Sequence, residues 1–189
     1  MSSSSLPRYL GEGNTTPNSR GEIIRRCLWA GVQATFFRWS PRGLHGFRIG
    51  LLRCFGSNIP PDGHVRIYPT TRIIYPWKLT CSARVLIGPR VNIYNLAPVT
   101  LGYGTQLSQS VHLCAGTHDY LSWSMPLVAR PIHIGDNAWL GAEVFVGPGV
   151  TIGELAVIGA RSVVVKDQPA RMVCAGHPCR PLKPRPDPL

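Results

Sequence analysis

Hydrophobic residues recur every six positions between His133 and Lys166. The repeating positions are aliphatic in each case: Ile134, Leu140, Val146, Ile152, Ile158 and Val164. Glycine follows five of these six residues, at positions 135, 141, 147, 153 and 159. Small or β-branched residues follow four positions after the first five aliphatic residues, at Ala138, Val144, Val150, Ala156 and Ser162.

A period of six fits neither a helix nor simple strand alternation. It fits a unit made of one short strand and one tight turn, three of which close a triangular coil of about 18 residues. The aliphatic residue and the small residue would point into a narrow prism, where coils stack about 4.8 Å apart. The pattern therefore predicts an all-β fold, a parallel β-helix of hexapeptide repeats.

Weaker hexads extend this pattern back towards residue 57. They are carried by aliphatic residues, at Ile67, Ile73, Leu79, Ile87, Ile93, Val99, Leu101, Leu107 and Leu113. Two steps of eight, from Leu79 to Ile87 and from Ile93 to Leu101, indicate small enlargements at corners. This count places Ile93 beneath Leu113 and Asn95 one coil below Ala115.

The repeat then stops, and its phase is recovered only at Ile132 or Ile134. We therefore expect an inserted loop over residues 117–131 in a β-helix domain spanning 57–175. Such interruptions are where solenoids carry function, because the coils themselves have little freedom to vary. Beyond the domain, residues 176–189 form a proline-rich tail that we do not expect to pair as a strand.

The N-terminal segment has a different pattern. Residues 1–20 are rich in Ser, Gly, Pro and Asn and predict a mobile tail. In residues 21–56, apolar residues lie three to five positions apart and are interleaved with arginines, which predicts an amphipathic helical cap. We expect one helix to end near Ser40-Pro41 and a shorter helix over 47–55. The cap could cover the first coil, rest its basic face on anionic lipid, or do both.

Composition narrows the partners only in part. Twenty Lys and Arg against nine Asp and Glu give a net charge of +11, which favours an anionic partner such as a phosphorylated cofactor, an acidic glycan or a membrane surface. Nucleic acid would rest on charge alone, since no recognition motif is present. Six cysteines without a CxxC pair indicate reduced thiols. The sequence shows neither a signal-peptide pattern nor an apolar run of 18 residues. We therefore expect a cytoplasmic location, with peripheral contact at the inner membrane face.

His118 is the candidate for acid–base chemistry. It stands at the start of the one large interruption, beside a rigid coil. An imidazole can take a proton from an alcohol near neutral pH. The other histidines have no such placement, and we interpret them as structural or exposed.

The chain resembles the hexapeptide-repeat O-acetyltransferases, in particular the colanic-acid-biosynthesis type and its galactoside, maltose and nodulation relatives. The resemblance covers about residues 50–180. It rests on these segments: PWKL at 76–79, IYNLAPVTLG at 93–102, LSQSVHLCAGTHDY at 107–120, the hexad run at 131–167, and AGHP at 175–178.

This resemblance implies a left-handed parallel β-helix that forms a homotrimer with active sites between subunits. It implies an acetyl-CoA-dependent transfer to a saccharide hydroxyl, in the biosynthesis of an exopolysaccharide or another cell-surface glycan, with no metal required. The residue matching the family's general base is His118, which would deprotonate the acceptor for direct attack on the thioester. Asn95 matches an asparagine near that base and would orient the acceptor or the intermediate.

The resemblance also assigns residues to the coenzyme. Trp139 would border the acetyl and pantetheine end, although it could instead be a corner aromatic at a trimer contact. The backbone N–H groups of Ala142 and Ala160 would meet the oxyanion and the pantetheine arm, respectively. Cations could meet the CoA phosphates or be solvated surface charges: Lys166, Arg180 and Lys183.

Two points depart from the family or stay open. His177 stands where the family commonly has asparagine, and the residue orienting His118 could be Asp119 or Glu143.

A non-catalytic trimeric scaffold and a zinc carbonic anhydrase are alternatives on the same fold. The second needs three converging histidines, whereas His112 and His118 are six residues apart and should lie on different faces.

Overall fold

The computed structural model describes residues 19–186, which form a helical cap followed by a β-helix. The cap consists of α1 (Arg20–Val32), which continues into a π-helix (Gln33–Phe37), and α2 (His45–Cys54). A 3₁₀ helix (Pro76–Lys78) interrupts the first coil. The predicted helical cap is confirmed, whereas the predicted tail 1–20 lies almost entirely outside the described residues.

The strands are short and follow one another around the prism. Within the described range they are β1 (Arg66–Ile67), β2 (Arg72–Ile73), β3 (Leu79–Cys81), β4 (Leu86–Ile87), β5 (Asn92–Tyr94), β6 (Val99–Leu101), β7 (Gln106–Leu107), β8 (His112–Cys114), β9 (Gly116–His118), β10 (Leu127–Ala129), β11 (Ile132–Ile134), β12 (Trp139–Leu140), β13 (Phe145–Val146), β14 (Thr151–Ile152), β15 (Val157–Ile158), β16 (Val163–Val164), β17 (Met172–Gly176) and β18 (Cys179–Pro184).

Three sheets form the sides of the prism, and the solenoid makes about five turns. Side 1 has the order β1-β4-β7-β12-β15-β17-β18, side 2 the order β2-β5-β8-β13-β16, and side 3 the order β3-β6-β11-β14. All pairs within the coils are parallel, which confirms the predicted parallel β-helix. We call the turns that join side 1 to side 2 the 1–2 corner, and those that join side 2 to side 3 the 2–3 corner.

The hexad residues fill the prism. The six aliphatic residues from Ile134 to Val164 are at most 2% exposed. The register pairs Ile93 with Leu113 and Tyr94 with Cys114, as the coil count predicted. Because the next residues along are Asn95 and Ala115, Asn95 lies one coil below Ala115, and both are fully buried.

The insertion over 117–131 leaves the prism at the 2–3 corner as an antiparallel hairpin of β9 and β10. The expectation for the tail needs correction, because the tail pairs: β18 runs antiparallel to β17. Its prolines are tolerated because β18 is the edge strand of side 1, where half of the backbone groups face away from the sheet.

The cap is fastened to the first coil by buried polar contacts. Trp29 Nε1 donates to the Ile73 carbonyl at 2.7 Å. Arg48 is fully buried and donates to the carbonyls of Ile67, Pro41 and Arg42. Burial lowers the pKa of the Arg48 guanidinium. Arg48 is therefore not part of a basic face, as the arginine pattern suggested, but a structural element of the cap.

Among residues 19–186, no helix is both long enough and apolar enough to cross a bilayer.

Candidate active site

His118 lies at the end of β9, on the hairpin that projects from the 2–3 corner. Its Nδ1 lies 2.6 Å from the Met125 carbonyl oxygen, on the returning arm of the hairpin. Because a carbonyl can only accept, Nδ1 must carry the proton. In the neutral form of the ring, Nε2 is then the proton acceptor. The ring is exposed to solvent. This is the arrangement that a general base requires.

Neither side chain suggested as the orienting group contacts His118. Asp119 Oδ1 accepts from the Leu121 N–H at 2.9 Å and stabilises the hairpin turn. Glu143 accepts from Arg161 Nε at 2.8 Å in an exposed ion pair. The orienting group is the Met125 backbone carbonyl, which no side-chain pattern in the sequence could reveal.

Asn95 has a structural environment. It is fully buried, its Nδ2 donates to the Tyr75 carbonyl at 2.6 Å, and its Oδ1 accepts from the Tyr75 N–H at 2.9 Å. These two bonds join neighbouring coils where the chain turns. A side chain without exposed surface cannot contact an acceptor substrate directly. Asn95 could therefore orient the substrate only indirectly, by fixing the position of this turn.

Ala142 and Ala160 are stacked at the 1–2 corner. The register pairs Leu140 with Ile158, which places Ala142 directly below Ala160. Neither backbone N–H has a partner within residues 19–186. A Cβ on the adjacent Gly141 would lie 2.8 Å from the Ala160 nitrogen, so only glycine permits this close approach. The corner thus offers two free amide donors, which fit the thioester oxygen and the amide groups of a pantetheine arm.

Trp139 lies in β12 on the outer face of side 1, shortly before this corner. It is 47% exposed, and its Nε1 donates to Ser108 Oγ at 3.0 Å in the coil below. The fixed indole offers an apolar surface beside the free amides. That surface is compatible with both predicted roles, a border of the coenzyme site and a contact between subunits.

The predicted cations lie at two different corners. Arg180 is exposed on β18 and pairs with Ala175 of β17. A Cβ placed on Gly159 would lie 2.9 Å from the Ala175 Cβ. The hairpin of β17 and β18 therefore adjoins the 1–2 corner. Lys183 is exposed farther along β18. Lys166 is exposed at the 2–3 corner, after β16. His177, in the turn between β17 and β18, is exposed.

Within one chain, the predicted site residues therefore fall into two groups. Trp139, Ala142, Ala160 and Arg180 adjoin the 1–2 corner, whereas His118 and Lys166 belong to the 2–3 corner. The width of side 2 separates the base from the amide donors. A single chain does not bring them together.

A basic groove of about 770 Å³ lies between the cap and side 2. Its charged lining is entirely basic, from Arg26, Arg38 and Arg72. Tyr94 also lines the groove, and the Cα of Tyr94 pairs with that of Cys114, four residues before His118. The sequence indicated the arginines but not that they line one groove together.

Within residues 19–186, no group of three His, Cys, Asp or Glu side chains is arranged to hold a metal ion.

Comparison with known proteins relates this architecture to acyl transfer. The family described as bacterial transferase hexapeptide (six repeats) matches residues 131–166. A protein of Escherichia coli K12 named as a colanic acid biosynthesis acetyltransferase, WcaF, is 46% identical over 165 residues, which cover 87% of this chain and 90% of that protein. Galactoside O-acetyltransferase of Escherichia coli K12 is 35% identical over 129 residues, or 68% of this chain and 55% of that one.

Solved structures agree with the fold. A maltose O-acetyltransferase from Clostridium difficile superposes with a TM-score of 0.75 at 26% identity, over 90% of this chain and 91% of that one. A hexapeptide-repeat acetyltransferase from Vibrio cholerae, solved with acetyl-coenzyme A, gives a TM-score of 0.80 at 25% identity, over 89% of this chain and 91% of that one.

Proposed function

This chain belongs to the hexapeptide-repeat acetyltransferases, and we propose that it transfers the acetyl group of acetyl-CoA to a hydroxyl group of a saccharide. The observation that carries the proposal is His118, whose Nδ1 is held by the Met125 carbonyl while Nε2 has no hydrogen-bond partner among residues 19–186. The names of the relatives support a sugar acceptor, since they include a galactoside O-acetyltransferase and a colanic acid biosynthesis acetyltransferase.

The proposed chemistry needs one base and one oxyanion donor from the protein. His118 Nε2 takes the proton of the acceptor hydroxyl as its oxygen attacks the acetyl carbonyl carbon. The free N–H of Ala142 donates to the oxygen that gains negative charge. The C–S bond then breaks, and the proton held by His118 passes to the departing thiolate. Acetyl-CoA supplies the acyl group, and no acyl-enzyme is required.

We propose that the complete site forms between two chains of a homotrimer. The separation of His118 from Ala142 and Ala160 within one chain supports this, because a neighbour could set its 1–2 corner against the hairpin. The hairpin also carries exposed apolar side chains suited to such a contact: Tyr120, Leu121, Trp123, Met125 and Leu127. A particle of three times the 20.7 kDa chain mass is the expected result of light scattering.

The basic groove is the proposed route for the acceptor. Three arginines in a groove that Tyr94 also lines favour an acceptor that carries a phosphate or carboxylate group. Precursors of cell-surface polysaccharides commonly carry such groups. Since acetyl-CoA is made in the cytoplasm, we infer that the transfer occurs there.

The proposal is tested by following CoA release over neutral sugars, uronates, nucleotide sugars and lipid-linked saccharides. The expected result is saccharide-dependent CoA release with an alkali-labile acetyl ester on the sugar by mass spectrometry. Acetyl-CoA binding without turnover on any acceptor would contradict the enzyme assignment and favour a scaffold. Acetylation of an amine rather than a hydroxyl would contradict the acceptor class.

A further inference from the structure

The outer surface of the helical cap bears a cluster of exposed apolar side chains. Phe36, Trp39, Leu44 and Phe47, which we call the aromatic patch, line one shallow depression. Trp39 is 84% exposed and Phe36 is 65% exposed. Single exposed apolar residues are ordinary, but a contiguous group of four marks a contact surface.

Helix α1 of the same cap also carries exposed apolar side chains. Ile24 and Leu28, four residues apart and therefore on one face, are 61% and 60% exposed. Trp29, whose side chain is buried against Ile73, belongs to the opposite face. The helix thus has apolar residues on both faces, and packing on the β-helix explains only one of them.

The cap that carries the patch is strongly basic. Residues 19–57 contain seven arginines and a single acidic residue, Glu22, which lies 3.8 Å from Lys78. Arg38, between Phe36 and Trp39, is exposed, and Arg42, just beyond them, is exposed as well. The Arg42 guanidinium also donates to the Tyr68 hydroxyl at 3.0 Å.

We propose that the aromatic patch docks on an anionic phospholipid bilayer. Tryptophan and phenylalanine enter the interfacial region of a membrane, and neighbouring arginines contact lipid phosphates. Glu22 is the single acidic residue among residues 19–57, and it lies near Lys78, so the net positive charge of the cap favours contact with an anionic surface. A partner protein would have to combine acidic and apolar groups, and a bilayer presents both over any area.

Docking has a consequence for the acceptor. Arg38 borders the patch in sequence and also lines the basic groove, so the groove opens beside the docked surface. A saccharide carried on a membrane lipid would then reach the groove directly. This consequence depends on the proposed function, whereas docking itself does not.

The test is co-sedimentation of the full chain with phosphatidylcholine vesicles that contain or lack phosphatidylglycerol. Binding is expected only with the anionic lipid. Raising the salt from about 0.1 M to 1 M should weaken it, because the Debye length falls from about 10 Å to 3 Å. The double substitution Trp39→Ser with Phe47→Ser should lower the partition coefficient at least about tenfold. Leu182→Ser, which removes a side chain 66% exposed on β18, is the matched control and should bind like the unaltered chain.

Three results would overturn the proposal. The unaltered chain could fail to bind anionic vesicles, or the double variant could bind them equally well. Alternatively, the double variant could dissociate into smaller particles in light scattering, which would make the patch a contact between subunits. Unchanged thermal unfolding of the double variant excludes misfolding. Vesicle binding needs no turnover, so its failure is distinct from failure of the acetyl-transfer assignment.

Discussion

At the scale of single residues, the hydrogen bond from His118 to the Met125 carbonyl distinguishes this site from a Ser-His-Asp catalytic triad. In a Ser-His-Asp triad, a carboxylate fixes the histidine tautomer, and replacing it with an amide costs about 10⁴-fold in turnover. Here a backbone carbonyl does so, and Asp119 is bonded to the Leu121 N–H. The sequence suggested Asp119 only because it is adjacent to His118.

Asp119→Asn should therefore retain acetyl transfer within about threefold, because the amide oxygen can still accept from Leu121 and the His118 contact is untouched. The measurement is kcat/KM of the variant, with the alkaline and acidic limbs of its pH profile. A loss on the order of 10³-fold or more would assign the orienting role to Asp119 instead.

His112 is a second residue for which we expect a measurable effect, because its pKa makes the free energy of unfolding depend on pH. Its half-buried ring lies on side 2, with Nε2 3.2 Å from Asn92 Nδ2 and the ring edge against Phe145. Burial lowers the pKa of His112 below its usual 6.5. The unfolded chain then binds more protons at acid pH, so the free energy of unfolding falls as the pH drops below about 6.5.

His112→Gln should flatten this part of the stability profile, since it removes the titrating group. Urea unfolding at a fixed chain concentration, repeated across that pH range, measures the effect. His133→Gln, at an exposed position on side 3, is the control and should leave the slope unchanged. An identical slope in His112→Gln and the unaltered chain would show that other groups cause the acid sensitivity.

At the scale of elements, the hexad pattern predicted most of the architecture because each repeat is both a strand and a position in the core. Ile93 lies beneath Leu113 as the count required. The pairing of β9 with β10 was not predictable from the hexads, since the hairpin lies outside the repeat. β18 was missed because the prolines argued against a strand, and the pattern does not tell an edge strand from an inner one.

The glycines at the corners of the prism differ in whether the structure can accommodate a Cβ atom at their position. Gly141→Ala should destabilise the protein by about 1–3 kcal/mol, because the new Cβ would lie 2.8 Å from the Ala160 nitrogen and 3.0 Å from the Ile158 carbonyl. It should also raise KM for acetyl-CoA if the Ala160 amide moves. Gly147→Ala is the matched control, since its nearest contact is 3.5 Å away. Equal unfolding free energies for the two variants would contradict this view of the 1–2 corner.

At the scale of the whole molecule, one rigid solenoid carries three separate surfaces. The 1–2 corner presents free amides, the hairpin at the 2–3 corner presents His118, and the cap presents the aromatic patch. Side-chain identities in the sequence could indicate His118 and Trp139. They could not indicate that the base and the amides lie at different corners, because that follows from three-dimensional closure of the coils.

The proposed function depends most on His118 as the general base of acetyl transfer. The most direct measurement is kcat/KM of His118→Ala beside His133→Ala, an exposed histidine outside the proposed site. We expect a loss of about 10² to 10⁴-fold for His118→Ala, with acetyl-CoA binding retained, and no loss for the control. Turnover of His118→Ala within a few-fold of the unaltered enzyme would contradict it.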